Sequence, residues 1–279
     1  MDTILVRYSE IALKGKNRYF FEKKLMQNIK ECMKQNKIKF SDIHKSRGRI
    51  IFYSQDMAVS YLKNVFGVSS VSIAKEVNLN IKNIKGEIEK ICKKQGFDTF
   101  RISVQRLNKD YPKKSKQLEI ELGSFVVERF NKKVKLEEPD LNICVEIIDK
   151  AYVFTQTLFG FSGLPVSTQG KVIGLIEDKN SLLATILVMK RGCSVVLVGF
   201  QDFDIGPIKR FSYGFEVKFI KTDNFKDIDN IAQMHKAKAL VVGQTTSNIE
   251  DLETSLLVLR PLIGYSKLEL NNLYKQFLV

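Results

Sequence analysis

The 279-residue sequence predicts an α/β protein, and three observations carry that expectation. Residues 1–76 alternate strand and helix periods in a βαββαβ series, the order of a ferredoxin-like domain. Residues 77–164 continue with two amphipathic helices set between strands. From residue 165 to 279, apolar strands are separated by helix-length stretches, which predicts a parallel sheet with covered faces in a reduced Rossmann-like domain.

The elements come in order. Residues 3–8 form a short strand, and the basic turn "LKGKNR" leads into a helix near 17–34, where Phe20, Phe21, Leu25, Met26, Ile29 and Met33 recur at helical spacing. Strands near 38–44 and 49–54 flank the turn "SRGR", and a helix near 57–66 precedes the strand "SVSIAKEVNL". The second segment opens with the helix "IKNIKGEIEKICKKQG", for which Gly96 is the expected C-cap. The alternating strand "TFRISVQRL", the loop "NKDYPKKSKQ", the helix "LEIELGSFVVERFN" and strands near 141–148 and 151–159 complete it. "FGFSGLP" is the expected linker. The third segment places strands at 172–176, 194–199, 215–220 and 238–242, with helices at 181–191 and 226–236, and closes with a strand and a helix in "LLVLRPLIGYSKLELNNLYKQFLV". Ser266 is the expected cap of that last helix, with Glu269 at capping-box spacing.

The formal net charge is +14, and the excess falls along the chain: +8 over residues 1–76, +4 over 77–164 and +2 over 165–279. Such an excess suits a polyanionic partner, because each neutralised phosphate releases counterions; a chain with uniformly basic surfaces would have the same composition. No apolar run is long enough to span a bilayer, and "MDTILVRYSE" lacks the order of a signal peptide, so a cytoplasmic protein without membrane contact is expected. Cys32, Cys92, Cys144 and Cys193 form no CxxC pair and there are two histidines, so neither a disulfide nor a metal site is expected, and Cys92 and Cys144 read as buried thiols.

Two basic stretches stand out. Lys14, Lys16, Asn17 and Arg18 surround Gly15 just before a helix start, where backbone N–H groups and flexible cations suit a phosphate chain; a solvated turn would look the same. The loop "RLNKDYPKKSKQ" sets Arg106, Lys109, Lys113, Lys114 and Lys116 around Tyr111 and Pro112, a mixture that suits unpaired nucleotides, although a tyrosine beside proline also serves loop packing. Arg7 and Arg101 lie in strands and either reach the same partner or pair internally with acids such as Glu10.

Several strings taken together carry a resemblance. "RYSEIALKGKNRYFFE" resembles the opening of tRNA 4-thiouridine synthetases, ATP-dependent tRNA sulfurtransferases also linked to thiamine biosynthesis. "RISVQRLNKDYPKKSKQLEIELG", "LEEPDLNICVEI" and "GFSGLPVSTQGKV" are similar to the THUMP RNA-binding domain of that family. "MKRGC" and "LRPLIGYSKLEL" match its adenine-nucleotide-binding PP-loop domain. The matches run in the family's order over nearly the whole chain. The resemblance implies contact with the acceptor end of tRNA through the first two domains, and assigns Lys14, Lys16, Asn17, Arg18 and the loop from Arg106 to Lys116 to that contact.

The departures lie in the third segment. A PP-loop has approximately Ser-Gly-Gly-x-Asp-Ser between its strand and helix. Here the junction is Glu177-Asp178-Lys179-Asn180-Ser181, one residue shorter and without glycine, and only Ser181 matches. Carboxylates would stand where a helix N-terminus attracts phosphate, and missing glycines deny close backbone approach. Asn180 or Ser181 is the expected helix cap. Gly243 and Thr245 in "VVGQTTSN" fall where a second nucleotide-contacting loop would lie. Cys193, the sole cysteine of this segment and hence its one local persulfide candidate, sits at the start of an apolar strand and is expected to be structural. The region after strand 194–199 is short for the family, and the chain reaches Val279 before the C-terminal cysteine region that carries sulfur in many members. The expectation is a tRNA-binding protein with a degenerate PP-loop, no catalytic residue and no cofactor. Its third domain would act as scaffold, homodimer surface or docking platform for a separate catalytic or sulfur-donor protein. The alternative is an active sulfurtransferase, in which ATP with magnesium adenylates the uracil oxygen and a persulfide sulfur displaces AMP.

Overall fold

Four buried residues in succession, Thr3 to Val6, set the first strand, β1 (Asp2–Arg7), in a computed structural model that describes residues 2–278. The chain continues through two 3-10 turns into α1 (Arg18–Gln35), then β2 (His44–Ser46), β3 (Arg49–Ser54), α2 (Ala58–Leu62) and β4 (Ser70–Val77). Next come α3 (Ile81–Lys94), β5 (Thr99–Arg106), α4 (Ser115–Phe130), β6 (Lys133–Val134), β7 (Leu141–Ile147), β8 (Ala151–Phe154) and β9 (Leu158–Phe159). The remainder is β10 (Lys171–Leu175), α5 (Lys179–Lys190), β11 (Ser194–Gly199), α6 (Gly206–Lys209), β12 (Lys218–Lys221), α7 (Asp227–His235), β13 (Ala239–Val241), β14 (Leu257–Leu259) and α8 (Lys267–Phe277).

Three local expectations are corrected. The stretch 38–44 contributes a single bridge, Phe40 to Ser54, before the short β2. Gly96 does not cap α3: the helix ends at Lys94 because Gln95 is already extended, at φ −124° and ψ 133°. Cys144 is half-buried rather than fully enclosed, since alternate residues of β7 face away from the core. Ser266 caps α8 as expected, and Glu269 returns the bond to the Ser266 N–H at 2.8 Å.

One compact unit holds the described residues up to Arg7, with Ile38–Val59 and Ser70–Leu158. Its mixed sheet runs β2-β3-β1-β4-β8-β7-β5-β6, antiparallel except where β5 pairs with β7 and β6. Phe100, Ile102, Leu118, Leu122 and Val126 lie in the core that joins α3, α4 and the sheet. At the sheet centre Glu146 accepts from Arg7 Nε at 2.6 Å and from Arg49 Nε at 2.7 Å. Arg7 therefore pairs internally, with Glu146 rather than with Glu10.

The other unit holds Tyr8–Lys37, Ser60–Ser69 and the chain from Phe159 onward. The predicted first segment thus contributes to both units. Asn28 of α1 donates to the Val166 carbonyl at 3.2 Å, a contact across 138 residues of sequence. The sheet of this unit is wholly parallel, in the order β12-β11-β10-β13-β14. Chain order reverses at β10, so the crevice between the carboxyl ends of β10 and β13 is where such folds take their ligands.

Candidate functional site

The crevice at that reversal is formed by the segments that leave β10 and β13. It has a volume of about 290 Å³, and Glu177, Asp178, Gly243, Gln244, Asn248 and Glu250 are among the residues that line it. Its β10 side is the start of α5. Asp178, extended at φ −159°, is the N-cap, and its Oδ1 accepts from the Ser181 N–H at 2.8 Å. Ser181 Oγ in turn accepts from the N–H groups of Glu177 and Asp178, both at 2.9 Å. The expectation of Asn180 or Ser181 as the cap is thereby corrected. An aspartate three residues before a serine closes a reciprocal box, which starts the helix two residues early. Asn180 instead accepts from the Tyr274 hydroxyl of α8, and the Lys179 ammonium lies 5.0 Å from the centre of the same ring.

The β13 side closes the crevice further. A Cβ on Gly243 would stand 2.4 Å from the Ser181 nitrogen and 2.8 Å from the Asn180 carbonyl carbon, so the two backbones touch here. Beyond it, Thr245 N–H donates to Asn248 Oδ1 at 2.7 Å, and Arg260 reaches Gln244 Oε1 at 2.7 Å and the Glu250 carbonyl at 2.9 Å. Burial raises the Glu177 carboxyl above its ordinary range, and the neighbouring Asp178 and Glu250 add to that. Where such a start elsewhere offers N–H groups to phosphate, here the Ser181 N–H of the first turn and the Glu177 and Asp178 N–H groups just before the helix bond to side chains, and three carboxylates face the crevice.

Cys193 is half-buried and packs against the core beneath α5, and burial pushes its thiol up, away from the thiolate that persulfide chemistry needs.

The basic turn sits in the unit of the parallel sheet. Gly15, at φ +50°, supplies the left-handed conformation between the two 3-10 turns. Lys16 and Asn17 are exposed, and Lys14 lies 5.0 Å from the Phe21 ring centre. Arg18 is engaged: its Nε donates to Glu22 at 2.7 Å and its NH2 to the Tyr8 hydroxyl at 3.1 Å. Glu10, set against Arg7 in sequence, pairs with Arg191 at 2.8 Å.

The lysine loop belongs to the mixed-sheet unit. Arg106 donates to the carbonyls of Lys109 and Tyr111, at 3.3 and 2.8 Å, and so shapes the loop from within. Of the two readings of Tyr111, packing and contact with a nucleotide, the structure has packing: the residue is 9% exposed and sits in the core of α3, α4 and β5, so its ring is already covered by protein. Lys113 pairs with Glu121 at 2.5 Å. Lys109, Lys114 and Lys116 extend into solvent.

Sequence reasoning missed a groove beside this loop, of about 520 Å³, between α4 and the β5–β6 edge. Its signal was Gly123, an isolated glycine in a helical pattern.

Comparison with known proteins places this geometry in a family. Residues 3–72 match the model of the ThiI ferredoxin-like domain and residues 79–156 that of the THUMP domain. A protein of Mycoplasmopsis synoviae named "Probable tRNA sulfurtransferase" is 31% identical, over 98% of this chain and 83% of its own. The chain belongs to the tRNA sulfurtransferase family. A relative of the same name from Thermococcus kodakarensis is 29% identical over 99% of this chain and 87% of its own. That match runs over 332 positions, so the relative carries residues within it that this chain lacks. Among solved structures, PH1313 from Pyrococcus horikoshii is 28% identical with a TM-score of 0.89, and each chain is covered completely. A 4-thiouridine synthetase crystallised with RNA and bound ATP shares the fold, at a TM-score of 0.78 and 24% identity over 99% of this chain and 85% of that one. As a member of this family the chain belongs to tRNA modification, with a ferredoxin-like domain, a THUMP domain and a parallel sheet.

Proposed function

We infer that this chain is a tRNA-binding member of its family whose nucleotide crevice no longer takes ATP, so that it serves tRNA thiolation as a binding or scaffold protein. The observation that carries this reading is the self-capped start of α5. In a family whose chemistry begins with ATP, the Asp178 and Ser181 side chains engage three N–H groups at the junction where a phosphate would sit, those of Glu177, Asp178 and Ser181. A phosphate oxygen near 4 Å from a carboxylate loses about 4 kcal/mol at the effective dielectric of a protein surface. Lys179 offsets little of this, because its ammonium rests on Tyr274.

On this reading the three segments 1–76, 77–164 and 165–279 divide the work. The first two bind the acceptor end of tRNA, through Lys14, Lys16 and Asn17 and through Lys109, Lys114 and Lys116. The third presents a surface to a second copy of the chain or to a separate catalytic or sulfur-donor protein. The setting is the cytoplasm, where the tRNA is.

Calorimetric titration with ATP and magnesium, alone and with unmodified tRNA, tests it. The expected result is no heat from ATP and a tRNA signal that weakens steeply with salt. ATP binding in either arm would restore the sulfurtransferase reading, in which ATP activates the uracil oxygen and sulfur arrives from a partner.

A further inference from the structure

The crevice of the parallel sheet carries charge that its own walls leave unanswered. Glu177, Asp178 and Glu250 line it, and among the described residues of its lining there is no lysine, arginine or histidine. That runs against the charge of the whole chain, which is +14. Lys179 is turned to the Tyr274 ring, and Arg260 gives its N–H groups to two neutral oxygens, Gln244 Oε1 and the Glu250 carbonyl. The charges that act on Glu177 are those of Asp178 and Glu250, both of its own sign. Backbone contact at Gly243 seals the crevice toward α5 without filling it, and about 290 Å³ remains.

Acidic side chains alone can be left to solvent, but Gln244 adds a second feature. It lines the crevice and is 7% exposed. Arg260 Nε donates to its Oε1 at 2.7 Å, which fixes which end of the amide is which. The Nε2 end then has two N–H groups and no acceptor among the described residues. So deeply set a donor calls for an acceptor brought from outside. Leu175, Phe225, Val242 and Leu252 complete the lining with hydrocarbon. The carboxylates do not converge on a point: among the described residues no three His, Cys, Asp or Glu side chains group closely enough to hold a metal ion. Carboxylates spread along an apolar slot suit a planar guanidinium, whose five N–H groups point several ways, better than a compact charge.

We propose that this crevice receives an arginine side chain of another polypeptide, with its guanidinium on Glu177 and Glu250 and a carbonyl of its backbone accepting from Gln244 Nε2. The methylene stem lies along Leu175 and Phe225, as long cationic side chains pack their stems on apolar surface. A pocket that is mostly apolar with a few placed polar groups is the usual form of a specific site. The carboxylates that turn phosphate away are then what holds the new ligand. The inference rests on the reading that the crevice no longer takes ATP, and names what it takes instead.

The test uses the full chain, calorimetry and thermal melts with three probes. They are Nα-acetyl-arginine amide, its neutral analogue Nα-acetyl-citrulline amide, and agmatine, which has the guanidinium without the carbonyls. The arginine amide is expected to bind and to raise the melting temperature, and the citrulline amide to do neither. Agmatine is expected to bind about fivefold more weakly, for want of the bond to Gln244. Glu177→Gln and Glu250→Gln, both at exposed positions, are each expected to weaken the arginine amide on the order of tenfold. Glu253→Gln, on the same loop but outside the lining, is expected to leave it unchanged. Equal binding of the arginine and citrulline amides overturns the inference, as does an equal loss in Glu253→Gln. Agmatine binding as tightly as the amide overturns the assignment to a polypeptide. ATP binding to the unaltered chain would sink the reading of a closed crevice first. No heat from ATP and none from the arginine amide leaves that reading standing and overturns this inference alone.

Discussion

The crevice of the parallel sheet and the groove beneath α4 are both concave, and their chemistry is opposite. The crevice lies at the chain reversal of its sheet, where ligands of such folds bind, but its helix start is capped by Asp178 and Ser181 and three carboxylates face it. The groove lies at no privileged point of its topology, yet it keeps exposed hydrocarbon, an open glycine and exposed cations. Topology therefore preserves a position for a ligand, while side chains decide whether anything is bound there.

The comparison can be broken most forcefully at Gly243. Its Cβ would overlap the backbone of Asn180 and Ser181, so Gly243→Val must push the β13 loop away from α5. A loss of about 3 kcal/mol is expected, which lowers the melting temperature on the order of 10 °C in a chain of this size. A fall of less than about 2 °C in a thermal melt would mean that the loop swings aside easily and that the crevice is not sealed. A smaller effect separates the basic turn from its neighbour. Lys14→Ala with Lys16→Ala is expected to weaken tRNA binding about tenfold and to reduce the salt slope by about 2. Arg18→Ala is expected to act on stability instead, because that guanidinium is held by Glu22 and Tyr8. Matched binding losses and an unaltered melt for Arg18→Ala would put all three cations on the RNA.

Most of the architecture was legible because it is periodic. The strand at 194–199 and the helix of residues 18–35 announce themselves by a continuous apolar run and by helical recurrence of apolar residues. The parts that were not legible depend on distant partners. Nothing near Asn28 in sequence says that α1 joins Val166. Tyr111 stands among lysines and beside proline, so its burial comes only from the way α3 and α4 meet over β5. The cap of α5 was a local but ambiguous signal: Asp178 and Ser181 have capping-box spacing, yet Asn180 and Ser181 are cap-type residues too and stand nearer the apolar run. The groove escaped because Val134 and Leu136 reach it from beyond the end of α4.

At the crevice itself, Asp178→Ala removes the cap and is expected to cost about 1 kcal/mol, measured as a shift of the urea midpoint; no shift would mean that Ser181 or a solvent molecule holds the helix start unaided. The smallest effect is the most informative about polarity. Burial, with Asp178 and Glu250, raises the Glu177 carboxyl above its ordinary 4.5. The folded chain then binds that proton more tightly than the unfolded chain, so ionised Glu177 lowers stability at neutral pH, and the penalty is relieved as pH falls through the raised value toward 4.5. Glu177→Gln cannot ionise, so it should be slightly more stable than the parent at neutral pH, with the difference closing on acidification. Urea midpoints across that range decide it. A gap that widens in acid would mean the parent carboxylate is stabilised when charged, by N–H groups or a cation at the helix start, and those same groups would again be open to phosphate.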